Sequence, residues 1–287
     1  MDRRNFIVGG TALAALQGST SHAATPPSAV LAYEAASGGQ AGLYAQNLRT
    51  GARLAWRADQ KFAMCSTFKA SLAALILHRV DKGQERLDRP VSFTRAQVPD
   101  WWAPVAKANL ARGVLSVGDM CAAIVEQSDN SCANLLLESV GGPQALTAFW
   151  RSIGDRETRL DDVEPALNKV APGSVLNTTT PRAMSTILQH LILGPLLTQK
   201  ARTQLRDWMI GCQTGANRLR AGLPSDWVIG DKTGNNGADA AGDIALVWPR
   251  PDDPIVICVY TRGGKPATEQ LNALFAGLGR DVATMLG

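Results

Sequence analysis

The chain has 287 residues with a formal net charge of +4, and 45% of its residues are hydrophobic while 19% are charged. This length can bury one large core or two lobes. The charge forms no long basic run, so nothing indicates a nucleic-acid partner. Because the chain has only three histidines, it cannot build an H-x-H metal site and has little material for a Ser-His-Asp triad.

Residues 1–23 have the pattern of an export leader. Arg3 and Arg4 precede an apolar run over residues 6–16, and small residues follow up to Ala23. The arginine pair predicts a twin-arginine signal peptide cleaved near Ala23 or Ala24. The run is shorter than the roughly 20 apolar residues of a membrane anchor. We expect a periplasmic or secreted protein with no membrane association in its mature form.

The periodicity of the remaining chain predicts an α/β (α+β) fold. Residues 42–59 alternate like a hairpin, residues 66–209 are helical in pattern, and three strands with Gly- and Pro-rich turns follow from residue 227. A last helix covers about 268–285. We expect an antiparallel sheet built from both chain ends with flanking helices. In this reading, residues 24–62 and 210–287 form an α/β lobe and residues 63–209 an inserted all-helical lobe.

Within the helical region, local signals mark helix ends and one loop. Ser116 and Asp119 have the spacing of a capping box, and glycines end the helix that follows Cys132. Residues 159–181 contain three prolines and little periodicity. A loop this long inside a compact protein usually carries function.

Ser66 and Lys69 stand three residues apart at the head of an apolar run. At this spacing the two side chains share one helix face, so the Lys69 amine can point back at the Ser66 hydroxyl. The helix N-terminus offers N–H groups to an oxyanion. The pair alone is a weak signal, since Ser66 could simply cap the helix.

Two further fragments strengthen the signal. Ser128, Asp129 and Asn130 read SDN after a helical run, and Lys232, Thr233 and Gly234 read KTG in a strand. Ser128 offers a proton relay and Asn130 an amide that can hold a substrate amide. Lys232 with Thr233 offers a cation and a donor for a carboxylate. Chance does not readily give these fragments in this order on these elements.

This set resembles the penicillin-recognising serine hydrolases, and most closely the class A β-lactamases, for which these three motifs are known. The sequence EPALN supplies Glu164 and Asn168, which match the E-x-x-L-N pattern of class A. The resemblance implies that these two residues hold the water that hydrolyses the acyl-enzyme. It also implies a β-lactam substrate. We expect no cofactor, no metal and a monomer, since no feature of the sequence asks for anything else.

The resemblance implies further roles. Ser66 attacks the β-lactam carbonyl, and either Lys69 or Glu164 takes its proton. Ser128 passes a proton to the leaving nitrogen. In the family pattern, the backbone N–H groups of Ser66 and Asn235 bind the oxyanion. The residues that the pattern assigns to substrate binding are Trp102, Asn130, Arg218, Lys232, Thr233, Gly234 and Asn235.

The chain departs from the family pattern at two places. The ion pair that braces the catalytic loop in many members falls on Asp162 and Asn177 and cannot form, so Arg159 or Lys169 could partner Asp162 instead. Family disulfides at Cys65 and Cys121 lack their partner cysteines. We expect both bridges to be absent.

Two alternatives remain. A D-alanyl-D-alanine peptidase shares the Ser, Lys and KTG pattern, and a β-lactam sensor is acylated without turnover. Glu164 and Asn168 disfavour both, because a peptidase usually lacks these residues and a sensor does not need them. The sequence therefore favours a β-lactam hydrolase that acts on penicillins and cephalosporins and confers β-lactam resistance. The sequence does not set the range of cephalosporins that it hydrolyses.

Overall fold

A computed structural model describes residues 25–287. The expected leader, residues 1–23, lies outside the described residues. Within them no helix is long and apolar enough to cross a membrane.

The described part of the chain alternates between sheet and helix in the predicted pattern. Its helices are α1 Ser28–Ser37, α2 Phe68–Asp81, α3 Pro104–Ala108, α4 Val117–Glu126, α5 Asn130–Val140, α6 Pro143–Ser152, α7 Pro181–Ile192, α8 Gln199–Ile210 and α9 Thr268–Leu286. Its strands are β1 Gln40–Asn47, β2 Arg53–Trp56, β3 Phe62–Ala63, β4 Pro90–Ser92, β5 Val114–Ser116, β6 Thr178–Thr179, β7 Val228–Asn235, β8 Ala241–Trp248 and β9 Ile255–Arg262.

The main sheet joins the two ends of the described chain. Its strand order is β2-β1-β9-β8-β7, and every neighbouring pair is antiparallel. The N-terminal hairpin thus pairs with the last strand, and Leu43 lies opposite Val259. The predicted α+β fold with a sheet built from both termini is confirmed. Strand β7 forms one edge of this sheet, which leaves its outer side free to face the helices.

The predicted helix ends are also found. Ser116 accepts a hydrogen bond from the backbone N–H of Asp119 and completes the capping box of α4. Gly141 ends α5 at φ 105°, a left-handed conformation that glycine adopts without steric cost.

Helix α1 was not predicted from the sequence. It buries only Val30 and Tyr33, so its apolar period is too weak to read in a run of small residues. Gly38, which ends α1 in the left-handed region, is the one local signal that marks its end.

Two large hydrophobic clusters lie on opposite faces of the sheet. One joins α2 and the other middle helices to sheet residues such as Ile244 and Tyr260. The other packs α1 and α9 against the remaining face. The division into lobes 24–62 with 210–287 and 63–209 stays a prediction, since the first cluster runs without a break from sheet to helices.

All five cysteines are buried and free. The predicted absence of the two family disulfides is confirmed.

Candidate active site

Ser66 lies in a short 3₁₀ turn, Cys65–Thr67, that leads directly into α2. Helix α2 begins at Phe68, two residues later than expected, and no side chain caps it. The alternative reading of Ser66 as a helix cap is therefore wrong. The Ser66 hydroxyl instead donates to Glu164 Oε1 at 3.2 Å.

The Lys69 amine is fully buried and points across the site. It donates to the Ser128 carbonyl at 2.9 Å and to Asn130 Oδ1 at 2.5 Å, and its Nζ lies 3.1 Å from Glu164 Oε1. Three acceptors match the three N–H groups of an ammonium. The expected direct contact with Ser66 is not among its hydrogen bonds. Burial lowers the pKa of Lys69, and the Glu164 carboxylate opposes that shift.

Glu164 is held on the long loop by two amide side chains. Asn168 Nδ2 donates to Glu164 Oε2 at 2.6 Å. Asn134 on α5 donates to the Glu164 carbonyl at 2.9 Å and accepts from its N–H at 3.0 Å. These bonds fix both the carboxylate and its backbone. Asn168 Oδ1 is buried and has no hydrogen-bond partner within residues 25–287, so an acceptor remains beside the carboxylate.

The SDN segment links three parts of the site. Ser128 takes φ 60°, and its hydroxyl accepts from Lys232 Nζ at 3.0 Å. Asp129 is buried and accepts from the N–H groups of Val105 and Ala106 in α3 and Cys132 in α5, each at 2.9 Å. One carboxylate thus fastens the first turns of two helices.

The KTG segment lies on β7 beside the nucleophile turn. A Cβ on Gly234 would lie 2.8 Å from the Ser66 nitrogen, so only glycine permits this approach. The approach brings the backbone of Gly234 and Asn235 next to Ser66. Burial lowers the pKa of Lys232 to about 8, with the nearby cations Lys69 and Arg218 acting in the same direction.

Arg218 and Trp102 occupy the margin of the site. Arg218 donates to the carbonyls of Gly234 and Gly242 at 2.9 and 2.6 Å, so its guanidinium holds β7 and β8 together. Trp102 is 59% exposed and donates to the Gln127 carbonyl at 2.7 Å. Trp101 is half-buried, donates to the Ser131 hydroxyl and packs against the hydrophobic cluster of the helices.

The catalytic loop is braced by Asn177. Its Oδ1 accepts from the N–H groups of Asp161 and Asp162 at 2.8 and 3.0 Å, and its Nδ2 donates to Asp162 Oδ2 at 2.8 Å. Arg159 pairs with Asp161. Neither Arg159 nor Lys169, the two possible partners of Asp162, takes that place, since among residues 25–287 the Asn177 amide bonds the Asp162 carboxylate instead.

Two residues of this region were not predicted from the sequence. Asn134 lies one helical turn after Asn130, a spacing that puts both on one helix face and could have indicated it. Thr214 contacts Thr233 at 2.5 Å between their hydroxyl oxygens, and no local pattern marks it.

The segments therefore converge on one buried polar centre. It combines a hydroxyl, a carboxylate in contact with that hydroxyl, two buried lysines and a glycine that brings a strand edge next to the hydroxyl residue. Such a set can perform nucleophilic acyl transfer followed by hydrolysis. Among residues 25–287, no group of three or more His, Cys, Asp or Glu side chains could hold a metal ion.

Residues 27–286 match the model of a family described as the Beta-lactamase enzyme family. The carbapenem-hydrolysing β-lactamase KPC of Klebsiella oxytoca is 43% identical over 252 residues, which cover 87% of this chain and 85% of the relative. β-Lactamase L2 of Stenotrophomonas maltophilia is 41% identical over 269 residues, 93% of this chain and 88% of the relative.

Solved structures agree with the sequence comparison. An ancestral (GNCA) class A β-lactamase superposes with a TM-score of 0.84 at 47% identity, covering 88% of this chain and 96% of that one. A β-lactamase from Xanthomonas campestris pv. campestris gives a TM-score of 0.86 at 41% identity, covering 90% and 96%.

Proposed function

This chain belongs to the class A β-lactamases and hydrolyses β-lactams, and from that premise we propose which residues perform the reaction. The proposed substrates are penicillins and cephalosporins. The hydrolysis confers β-lactam resistance.

In the acylation step, the Ser66 oxygen forms a bond to the β-lactam carbonyl carbon and the ring C–N bond breaks. We assign the proton of Ser66 to Glu164, supported by their 3.2 Å contact. Lys69, surrounded by three acceptors, then acts as the cation that stabilises the carboxylate. The backbone N–H groups of Ser66 and Asn235 receive the oxyanion, a role that the close approach at Gly234 supports.

Ser128 gives its proton to the leaving nitrogen. Its hydroxyl accepts from Lys232, so the hydroxyl hydrogen stays free for transfer. Lys232, placed between Ser128 and the substrate carboxylate, favours both the transfer and the binding of the anion.

Before deacylation, the proton that Glu164 took from Ser66 is returned to the Ser128 oxygen, so that both groups regain their starting protonation states. In the deacylation step, Glu164 takes a proton from water, the water oxygen forms a bond to the ester carbon, and the Ser66 oxygen leaves with that proton. The unpaired Asn168 Oδ1 beside Glu164 supports this role, because it can accept the second hydrogen of that water. The contact of Glu164 with both Ser66 and Asn168 is the observation that carries the assignment.

The remaining assignments concern substrate binding. Asn130 holds the substrate amide, and Thr233 with Lys232 binds the carboxylate. Arg218 supports that carboxylate through its charge while its hydrogen bonds fix β7 and β8. Trp102, exposed at the mouth, covers the bound substrate with its ring.

Turnover of a chromogenic cephalosporin by the purified protein tests the function against the two alternatives. We expect many turnovers per molecule, and no turnover by Ser66→Ala. A stoichiometric burst that stops at one equivalent would support a sensor instead. Hydrolysis of a D-alanyl-D-alanine peptide without β-lactam turnover would support a peptidase.

We further propose that residues 1–23 direct export through the twin-arginine route and that the mature protein is a periplasmic monomer. The Arg3-Arg4 pair supports the route. Replacing both arginines by lysine should retain the precursor in the cytoplasm. Processing and periplasmic activity equal to the parent would contradict this, and sedimentation at twice the chain mass would contradict the monomer.

A further inference from the structure

Thr233 forms contacts through both its backbone carbonyl and its side-chain hydroxyl. Its carbonyl accepts from Lys232 Nζ at 2.6 Å, and its hydroxyl oxygen lies 2.5 Å from the hydroxyl oxygen of Thr214. Thr214 lies in the segment between α8 and β7. It therefore contacts the hydroxyl that we assign to the substrate carboxylate.

The contact continues one residue further from the substrate. The Thr214 hydroxyl oxygen lies 3.4 Å from Cys212 Sγ. Cys212 is buried, and burial raises the pKa of its thiol, so the sulfur keeps its proton. Cys212, Thr214 and Thr233 thus form a chain of three groups, each with one hydrogen to donate.

The direction of this chain decides what Thr233 presents to the substrate. Only one hydrogen can lie between the two threonine oxygens. If Thr233 donates to Thr214, only oxygen lone pairs face the substrate and repel its carboxylate. If Thr214 donates to Thr233, the Thr233 hydrogen is free for the carboxylate.

A bound carboxylate selects the second direction, because it gives the Thr233 hydrogen an acceptor while Thr214 donates to the Thr233 oxygen. In this direction Thr214 can accept from the Cys212 thiol, for which the buried Asp231 carboxylate is the competing acceptor. Hydrogen bonds that follow one another in a chain also polarise one another, which strengthens the last donor.

We propose that Thr214 is a positioning residue that fixes the Thr233 hydroxyl as a donor to the substrate carboxylate, with Cys212 as the outer member of the chain. The proposal rests on the proposed function, since it deepens the role of Thr233 there. It makes Thr214 a determinant of the preference for substrates with a free carboxylate.

The test compares benzylpenicillin with its methyl ester, which lacks the anion. In Thr214→Val, which keeps the shape and loses the hydroxyl, the ratio of kcat/KM for acid over ester should fall about three- to tenfold, the loss of one hydrogen bond. Thr214→Ser should restore the ratio. Cys212→Ala should lower it about twofold, while Cys212→Ser should keep it.

Thr186→Val is the matched control, because its hydroxyl only donates to the Arg182 carbonyl on the exposed face of α7. Its ratio should equal that of the parent. A Thr214→Val protein that hydrolyses acid and ester with equal losses, or with none, would overturn the proposal, since mere packing affects both compounds alike. A Thr214→Ser protein with the same loss as Thr214→Val would overturn it too.

Failure of the underlying reaction has a different signature. A parent protein that turned over neither compound would overturn the proposed function and this inference together. Failure of the Thr214 proposal alone leaves the parent fully active with an unmoved ratio.

Discussion

At the scale of single residues, burial sets the protonation state of Lys232. Its amine is fully buried, and desolvation lowers its pKa to about 8. Below this pH the amine is charged and can attract the substrate carboxylate. Above it the charge is lost, and Ser128 loses a charged donor as well.

We therefore predict that kcat/KM for a penicillin falls above about pH 8, since this parameter reports the free enzyme. The fall in kcat should come at higher pH, because a bound carboxylate favours the charged amine. Lys232→Arg, whose side chain stays charged, should move the fall in kcat/KM upward. A kcat/KM profile that stays flat to pH 9.5 in the parent would contradict this account.

At the scale of elements, one buried carboxylate holds two helices in place. Asp129 accepts three backbone N–H bonds, from α3 and α5, and no part of it is exposed. Asp119 makes an exposed capping box on α4. Both aspartate carboxylates thus accept hydrogen bonds from backbone N–H groups at the start of a helix, but the Asp129 carboxylate is buried and the Asp119 carboxylate is exposed.

We predict that Asp129→Ala lowers the free energy of unfolding by about 3 kcal/mol or more, since buried N–H groups lose their acceptor. Asp119→Ala should cost about 1 kcal/mol, because water replaces its bonds. Urea unfolding of the two variants measures the difference. Equal losses would show that burial of the Asp129 carboxylate does not matter.

The loop that carries Glu164 depends on the neutral amide of Asn177. Asn177→Asp would set a third carboxyl group against Asp161 and Asp162 and remove the donor to Asp162. The pKa of the new group should be raised by this repulsion, and at neutral pH the variant should lose about 2 kcal/mol of stability. Protonation at low pH restores a donor, so the loss relative to the parent should shrink below about pH 5.

Thermal unfolding of parent and variant at pH 7 and pH 4.5 measures this dependence. Asn217→Asp, at an exposed position, is the control and should change little at either pH. A loss at Asn177→Asp that is the same at both pH values would argue against carboxylate repulsion.

The elements that the sequence predicted were those with local signals. The strands β7 to β9 have period-two patterns and Gly or Pro turns, and α4 has its capping box. Helix α1 lacked such a pattern because it buries few side chains. The target of the Lys69 amine could not be predicted, since Ser128 and Glu164 are brought to it by tertiary packing from distant parts of the chain.

At the scale of the whole molecule, the site depends on the way the sheet meets the helices. Strand β7 is an edge strand, and the glycine at 234 lets it approach the nucleophile turn at the head of α2. The long loop adds Glu164 from the other side. The central claim is that Ser66 carries the acyl group and Glu164 is required to remove it.

The mass of intact Glu164→Gln protein after mixing with benzylpenicillin tests this claim most directly. Without Glu164, Lys69 loses the carboxylate in contact with it, so burial favours its neutral form, which can still take the Ser66 proton. Acylation should continue more slowly than in the parent, because Glu164 no longer takes the Ser66 proton, while glutamine cannot activate water at all. We predict a stable adduct of one penicillin on Ser66, absent in Ser66→Ala; turnover at the parent rate by Glu164→Gln, with no adduct, would contradict the account.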